Sequence, residues 1–387
     1  MPASTCRHTI TPMIADTTIT MERVIPIMKR VMCTAPGVDM ITDTNTDMRT
    51  LHNPFTFTRM GTNIKPGLRP GESPYAVELS PPDISAYRKG NTGIEYVTTF
   101  DSGQPGPHVL INAITHGNEL CGALAVDRLF KLGVRPVRGK LTLAFANVDA
   151  FSRFDPIRPH ASRFVDEDFN RVWTAETLDG PRDSVELRRA RAMRPVVDQA
   201  DYLLDIHSMH DPHGPVMISG VLDKGIALAR QVGVPQHIVA DKGHANGTRM
   251  RDYGGFGDPD SHKAALLVEC GQHWEKAAEV LAWQSVWRFL RALDVMDRDQ
   301  CAAEIDPAPV PDPHLVRVTD ALIASSTDYR FADGLRGLSV VRKRGDLIAT
   351  DAGVPVIAPY DNCVLIMPTM IHVKPGLTAV RIGRLEA

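Results

Sequence analysis

The chain has 387 residues, 43% of them hydrophobic and 23% charged, with a formal net charge of -3 at pH 7. That length exceeds one average domain and supplies enough apolar material for a sizeable core, so two structural units are expected. The near-balanced charge gives no footprint for nucleic acid, and no run of about 18 apolar residues indicates a membrane span. Six scattered cysteines (Cys6, Cys33, Cys121, Cys270, Cys301 and Cys363), with no C-x-x-C pair, suggest reduced thiols in a cytoplasmic protein.

Residues 1–70 are rich in Thr and Met and lack sustained periodicity. Ile25-Pro26-Ile27-Met28 is too short and too proline-broken for a signal peptide, and Asp16, Glu22 and Asp39 argue against a transit peptide. We expect a disordered extension there, or translation begun upstream of the true start. Regular signals begin near residue 75, where Pro81-Pro82-Asp83-Ile84-Ser85-Ala86-Tyr87 reads as a helix start with proline in its first turn. Residues 94–100 and 108–114 are rich in Val, Ile and Thr and flank the turn-forming Asp101-Ser102-Gly103-Gln104-Pro105-Gly106, so both read as strands. Residues 119–132 carry apolar positions at helical spacing and stop at Gly133, and residues 141–147 form a short apolar strand of a covered sheet.

Helices are then expected over 185–199, 224–232 and 275–293, with strands at 202–206, 216–219 and 264–269. This alternation predicts an α/β fold over residues 71–305, a three-layer sandwich with a mainly parallel or mixed sheet. The proline-rich stretch 306–314 reads as a stiff linker. Short Val/Ile runs punctuated by glycine predict a β-rich C-terminal domain over 315–387.

The sharpest local signal is Ile114-Thr115-His116-Gly117-Asn118-Glu119, where a strand ends and a helix begins. A spacing of three across such a turn can aim an imidazole and a carboxylate at one point, and zinc accepts both. By itself H-x-x-E is weak, since many such pairs are only polar helix starts. Leu203-Leu204-Asp205-Ile206-His207-Ser208 strengthens it: an apolar strand ending in Asp-x-His places polar groups where α/β sheets bind ligands. His207 is the candidate third ligand beside His116 and Glu119, with Asp205 as its orienting partner or a local structural acid. Three protein ligands leave a position for water. In Leu266-Leu267-Val268-Glu269-Cys270-Gly271 a carboxylate follows an apolar strand, where burial is costly without a role, and Glu269 is the candidate general base.

Taken together, four segments in fixed chain order resemble the succinylglutamate desuccinylase/aspartoacylase family of the zinc carboxypeptidase superfamily. They are Thr115-His116-Gly117-Asn118-Glu119, Arg163-Phe164-Val165-Asp166-Glu167-Asp168-Phe169-Asn170-Arg171, Asp205-Ile206-His207 and Val268-Glu269-Cys270-Gly271. The resemblance covers roughly residues 75–295, and the C-terminal region more loosely. It implies a zinc-carboxypeptidase-like fold, one zinc ion per chain, and hydrolysis of the amide bond of a small N-acyl amino acid. It further implies that Arg163 polarises the scissile carbonyl and that Asn170 and Arg171 grip the substrate carboxylate, with Asp168 orienting their loop. A guanidinium suits both tasks because it stays charged and binds carboxylates bidentately.

The chain also departs from the family pattern. The further arginine expected before the catalytic glutamate is Arg249 or Arg251, at uncertain register, and the C-terminal tyrosine of aspartoacylases has only Tyr360 as a candidate. His210, His213, His244, His262 and His273 read as loop or supporting residues, with His210 a competitor of His207. A metallocarboxypeptidase acting on small peptides is the alternative activity, and a non-catalytic binding protein on the same fold a further one. Self-association, the acyl group and the amino acid are left open by the sequence.

Overall fold

Apolar runs and capping residues divide the chain into alternating strands and helices. The computed structural model describes residues 72–243, 246–371 and 373–386, so the expectation for residues 1–70 lies outside the described residues. Strands β1 (Val97–Asp101) and β2 (His108–Ala113) are followed by helix α1 (Leu120–Leu132), then β3 (Lys140–Phe145), α2 (Val148–Phe151), α3 (Ala175–Asp179) and α4 (Val185–Gln199). Next come β4 (Tyr202–Met209), β5 (Val216–Ile218), α5 (Asp223–Val232), β6 (His237–Ala240), β7 (Ala264–Gln272), α6 (Lys276–Ala292) and α7 (Arg298–Glu304). The C-terminal region contributes β8 (His314–Ile323), β9 (Tyr329–Phe331), β10 (Val340–Val341), β11 (Leu347–Asp351), β12 (Val354–Ile357), β13 (Cys363–Ile366) and β14 (Thr378–Glu386).

The large sheet runs β1-β3-β2-β4-β7-β5-β6-β8-β14-β13-β10. Strands β3, β2, β4 and β7 are mutually parallel, β5 turns antiparallel to β7, and β6 and β8 follow β5 in parallel. The sheet is therefore mixed, and the expected three-layer sandwich is present. Strand alternation splits the apolar side chains between two cores. Val109, Ile111, Leu204, Ile206, Leu266 and Val268 pack with Leu120, Leu129, Ile226, Trp287 and Phe289 of α1, α5 and α6. Leu110, Ala144, Leu203 and Ala265 face the other way, onto Leu187, Ala190, Met193 and Val197 of α4. Each large side chain so buried contributes about 1.5–3 kcal/mol.

Helix ends follow their caps. Ser184 starts α4 by accepting from the Leu187 N–H at 3.0 Å, and α1 stops at Gly133, whose N–H bonds back to Phe130 O at 3.0 Å. Two local readings differ from the sequence expectation. The Pro81–Tyr87 stretch yields only a single tight turn, Ser85–Tyr87, because Asp83 caps Ser85 locally and Gly90 soon breaks the run. Helix α7 was not expected; its signal is Asp297, whose side chain accepts from Gln300 N at 2.9 Å.

The β-rich tail extends the main sheet through the β6–β8 pair and adds a separate three-stranded sheet, β12-β11-β9. It is also latched to the loop after β4. His213 Nε2 accepts from the Met367 N–H at 3.0 Å, and Asp211 accepts from Met370 N at 2.9 Å and from the Tyr75 hydroxyl at 2.9 Å. Gly337 lies so close to the His213 ring that a Cβ would overlap it at 1.6 Å, so a side chain here would displace the latch.

The latch requires a neutral His213, because Nε2 is an acceptor. Burial pushes its pKa down to about 4, against about 6.5 in an unfolded chain. Between these values the unfolded state binds a proton that the folded state does not. Stability is therefore complete above the unfolded pKa and declines as pH falls through this window. Between pH 7 and pH 5, urea denaturation should show wild type losing about 1–2 kcal/mol more than His213→Gln; parallel losses would show that His213 is not the titrating group.

Candidate active site

Strand β2 ends at Ala113, and Ile114 then takes φ +53°. This left-handed conformation costs a β-branched residue about 1–2 kcal/mol, so the strand exit is strained just before His116. Gly117 allows the turn to continue: a Cβ would lie 2.4 Å from backbone atoms of Ala150 and Phe151. Glu119 then occupies the N-terminal cap position of α1. Strand β4 brings His207 alongside, and the parallel register sets His207 of β4 opposite Glu269 of β7.

The two imidazoles converge on one carboxylate. His116 Nδ1 is 2.7 Å from Glu119 Oε1, and His207 Nδ1 is 2.9 Å from Glu119 Oε2. All three residues are at most 3% exposed. The far nitrogens each meet an aspartate: His116 Nε2 at 2.9 Å from Asp168 Oδ1, and His207 Nε2 at 2.8 Å from Asp205 Oδ2. Asp205 is held by Asn112 Nδ2 and Thr115 Oγ1, each donating at 2.8 Å. At His207 the Asp205 carboxylate on Nε2 favours the tautomer that leaves Nδ1 as a lone-pair donor, whereas His116 Nε2 lies between Asp168 and Arg163 Nη2, the latter also at 2.9 Å.

This donor set fits a divalent cation. The ligating atoms lie within 4.8 Å of one another, and among the described residues this is where His, Cys, Asp and Glu converge in that way. Tetrahedral zinc with bonds of about 2.0–2.1 Å separates its donors by about 3.4 Å, so small side-chain rotations suffice. The electrostatics agree. Burial alone would raise Glu119, yet His116 and His207 hold it well below the usual carboxylate range. Burial would lower His207, yet Asp205 and Glu119 raise it well above its ordinary value. The cluster thus favours positive charge at its centre.

Glu269 is 8% exposed and its Oε2 has no hydrogen-bond partner. Burial is the largest cause pushing its pKa up to about 8, with Glu119 and Asp205 adding and His207 and Arg163 opposing. Arg163 stands on the other side of the set, with Nη1 3.6 Å from Glu119 Oε1 and Nη2 3.2 Å from Asp168 Oδ2. Asp168 also caps the tight turn Phe169–Arg171, accepting from Asn170 N at 2.8 Å. Buried Asn170 accepts from Met250 N at 3.0 Å, and Arg171 Nη1 donates to Asn170 O at 2.8 Å.

The structure separates the two candidate arginines. Arg251 is committed to backbone, donating to Ser219 O at 2.8 Å and Ala265 O at 3.1 Å, and pairs with Asp252. Arg249 pairs with Asp252 at 2.6 Å and Asp241 at 3.2 Å, and its buried Nη2 has no partner. Tyr360 is elsewhere, its hydroxyl 2.5 Å from Thr319 Oγ1 and its ring under Arg384. His210 lies 3.3 Å from Asp211 and stacks on His160, His273 bonds to Ser208, and exposed His262 pairs with Asp201. None of these joins the converging set, and His244 lies outside the described residues.

Sequence reasoning missed Glu186, in the first turn of α4. It is fully buried and accepts from Val165 N at 2.7 Å, Asp166 N at 3.0 Å and Glu167 N at 3.2 Å, besides Asn147 Nδ2 at 3.1 Å. One carboxylate thus folds the loop that carries Arg163. A glutamate two residues after the Ser184 cap is a weak hint of this, since acids are common in first turns. Asp241 and Arg381 were also missed.

Fold and site together define a three-layer α/β protein with a buried, metal-type donor set at the carboxyl ends of parallel strands. Residues 105–273 match the family described as the succinylglutamate desuccinylase/aspartoacylase catalytic domain. Through this segment, somewhat less than half of the chain, the protein is similar to the succinylglutamate desuccinylase/aspartoacylase family. No curated protein sequence matches it. Solved structures resemble its fold. One is the product-bound ectoine utilization protein EutE (DoeB) from Ruegeria pomeroyi, with 17% identity over 74% of this chain and 88% of that one, at a TM-score of 0.55. A succinylglutamate desuccinylase/aspartoacylase from Rhodobacter sphaeroides has 17% identity over 76% of this chain and 90% of that one, at 0.56. An aspartoacylase family protein from Mesorhizobium loti has 18% identity over 75% of this chain and 89% of that one, at 0.52.

Replacing Glu186 by Ala leaves three backbone N–H groups without their acceptor. Stability measured in urea should fall by about 1–3 kcal/mol, and Glu186→Gln should recover part of it. An Ala variant as stable as wild type would show that water replaces the carboxylate.

Proposed function

We propose that this protein is a zinc-dependent hydrolase that cleaves the amide bond of an N-acyl amino acid, a carbon–nitrogen bond other than a peptide bond. The observation that carries this reading is the buried His116–Glu119–His207 set with Glu269, whose Oε2 has no hydrogen-bond partner, in register beside it. His116 Nδ1, His207 Nδ1 and the Glu119 carboxylate would hold the metal. Bound zinc supplies Lewis acidity, lowering the pKa of water and polarising a carbonyl.

The remaining roles belong to this chain's own side chains. The Glu269 carboxylate takes a proton from the attacking water and delivers it to the departing amine nitrogen as the carbon–nitrogen bond breaks. Arg163 sets its guanidinium against the carbonyl oxygen, where negative charge develops. Asn170 and Arg171 grip the substrate carboxylate and fix orientation, with Arg249 as the further arginine beside them. Asp205 keeps the His207 imidazole in the ligating tautomer.

A small-molecule substrate and a reducing, cytoplasmic setting accompany this reading. The described cysteines Cys121, Cys270, Cys301 and Cys363 are free and buried, and no described helix is long and apolar enough to cross a membrane.

Elemental analysis of purified protein should find about one zinc per chain, with hydrolysis lost on chelation. Asp205→Ala should weaken metal retention about 10–100-fold. Active protein free of transition metal would overturn the assignment. Assays on N-acyl amino acids against dipeptides separate deacylase from carboxypeptidase.

Glu269→Gln keeps shape but removes the base, so zinc should remain while turnover falls at least about 10²–10⁴-fold. Arg171→Ala should raise KM more than it lowers kcat, because its contact exists in both ground and transition states. Loss of zinc from Glu269→Gln would make Glu269 a ligand and redraw the roles.

A further inference from the structure

The carboxyl ends of β4 and β7 carry a second group of side chains, across the strand ends from Asn170 and Arg171. Trp274 belongs to the core shared with α1 and α6, whereas Phe169, next to Asn170, belongs to the core shared with α4. His160 stacks on His210 with ring centroids 4.1 Å apart and planes 27° from parallel, and its ring also meets Trp274 at 4.9 Å. His273 lies 5.4 Å from Trp274 and 6.4 Å from His210. Four rings from three separate segments thus form one wall. Its base is tied to the donor set: Trp274 Nε1 donates to Asn118 O at 3.1 Å, and His273 Nδ1 is 2.8 Å from Oγ of Ser208, whose N–H donates to Glu119 Oε2 at 3.3 Å.

The wall is buried at its base and open at its rim. Trp274 and His273 are at most 1% exposed, whereas the His210 side chain is 35% exposed. Buried Asp211 braces that ring, with Oδ1 3.3 Å from His210 Nδ1, and is itself fixed by the Tyr75 hydroxyl and the Met370 N–H, each donating at 2.9 Å. A ring held in this way loses little freedom on meeting a ligand. Burial pushes the His273 pKa well down; Glu119 opposes, and Arg163, His210 and His160 lower it further. Two imidazoles stacked as closely as His160 and His210 would also repel if both were protonated. The wall therefore presents neutral aromatic surface rather than cationic charge.

With its carboxylate toward Asn170 and Arg171, an amide lying across the donor set extends its acyl group toward this wall. We propose that His210 is a specificity-determining residue whose exposed ring face stacks on a planar, conjugated acyl group, so that aroyl amides are the preferred substrates. This rests on the N-acyl amino acid reading above. Offset stacking of aromatic rings adds affinity beyond the area they bury, and a saturated ring of equal size cannot supply it.

The test uses zinc-loaded enzyme with the N-benzoyl, N-cyclohexanecarbonyl and N-acetyl derivatives of L-alanine and of L-aspartate. Benzoyl and cyclohexanecarbonyl groups are similar in size and differ in conjugation, and a contact made in the ground state is read in KM. For wild type the benzoyl KM should lie at least about threefold below the cyclohexanecarbonyl KM. His210→Leu should abolish that difference, and His210→Phe should retain it. A His210 that only braces its loop would, when replaced, raise KM for all three acyl groups alike. That pattern, a wild type without benzoyl preference, or a His210→Leu enzyme that keeps the preference would overturn the proposal. If His210→Leu does not fold, His210→Met takes its place with the same outcomes. Should wild type hydrolyse none of these compounds, the N-acyl amino acid reading fails separately. Calorimetric binding of benzoate and cyclohexanecarboxylate then decides: tighter benzoate binding that is lost in His210→Leu supports the stack, and any other result, including equal or absent binding, overturns it.

Discussion

Two buried imidazoles share one buried carboxylate, and much of the surrounding structure serves to make that tolerable. His116, His207 and Glu119 are removed from water, where ionised groups survive only if charge is matched and every donor is satisfied. Asp168 and Asp205 take the outer imidazole nitrogens, and Asn112 and Thr115 take Asp205 in turn. Removing any one of these would leave a polar group stranded at the strand ends. The arrangement also explains why α1 begins where it does: Gly117 lets the turn press against α2, so Glu119 reaches back over β4.

Around this centre the positioning groups come from loops pinned by side chains rather than from regular elements. Glu186 gathers the backbone of residues 165–167, which directs Arg163 toward Glu119. Asn170 ties the adjacent turn to Met250, and so to the segment bearing Arg249. Asp211 and His213 join the loop after β4 to the C-terminal strands. Changes remote from the donor set can therefore alter its geometry through a short chain of buried hydrogen bonds.

The fold is shared with solved proteins at 15–18% identity, a level at which backbone architecture persists while pocket chemistry diverges. Function on such a scaffold resides in the side chains grafted onto it. Beyond the metal-type centre lies an outer set, in which Arg249 and Arg381 meet at Asp241. The inner set is the buried His116–Glu119–His207 group with Glu269 in register beside it.

The inner set was legible in the sequence because its signals are local. A three-residue spacing at a strand-to-helix turn, an Asp-x-His at a strand end and a glutamate after an apolar run each report one strand's direction and the side its residues face. Strand and helix periodicity likewise announced the three layers, and glycine and proline marked most boundaries. The outer set was not legible. Whether Arg249 or Arg251 keeps a spare donor depends on which one meets the carbonyls of Ser219 and Ala265, and spacing does not encode that. Arg381 reaches Asp241 only because β14 pairs with β8 and β8 with β6, a chain of long-range pairings set by packing and register. Glu186 resembles any first-turn acid until the fold lays the 165–167 backbone across it. Local periodicity and capping determined the elements and the donor triad; tertiary pairing decided which buried charges meet, because contact between distant segments follows from the packed sheet and from no feature of either segment alone.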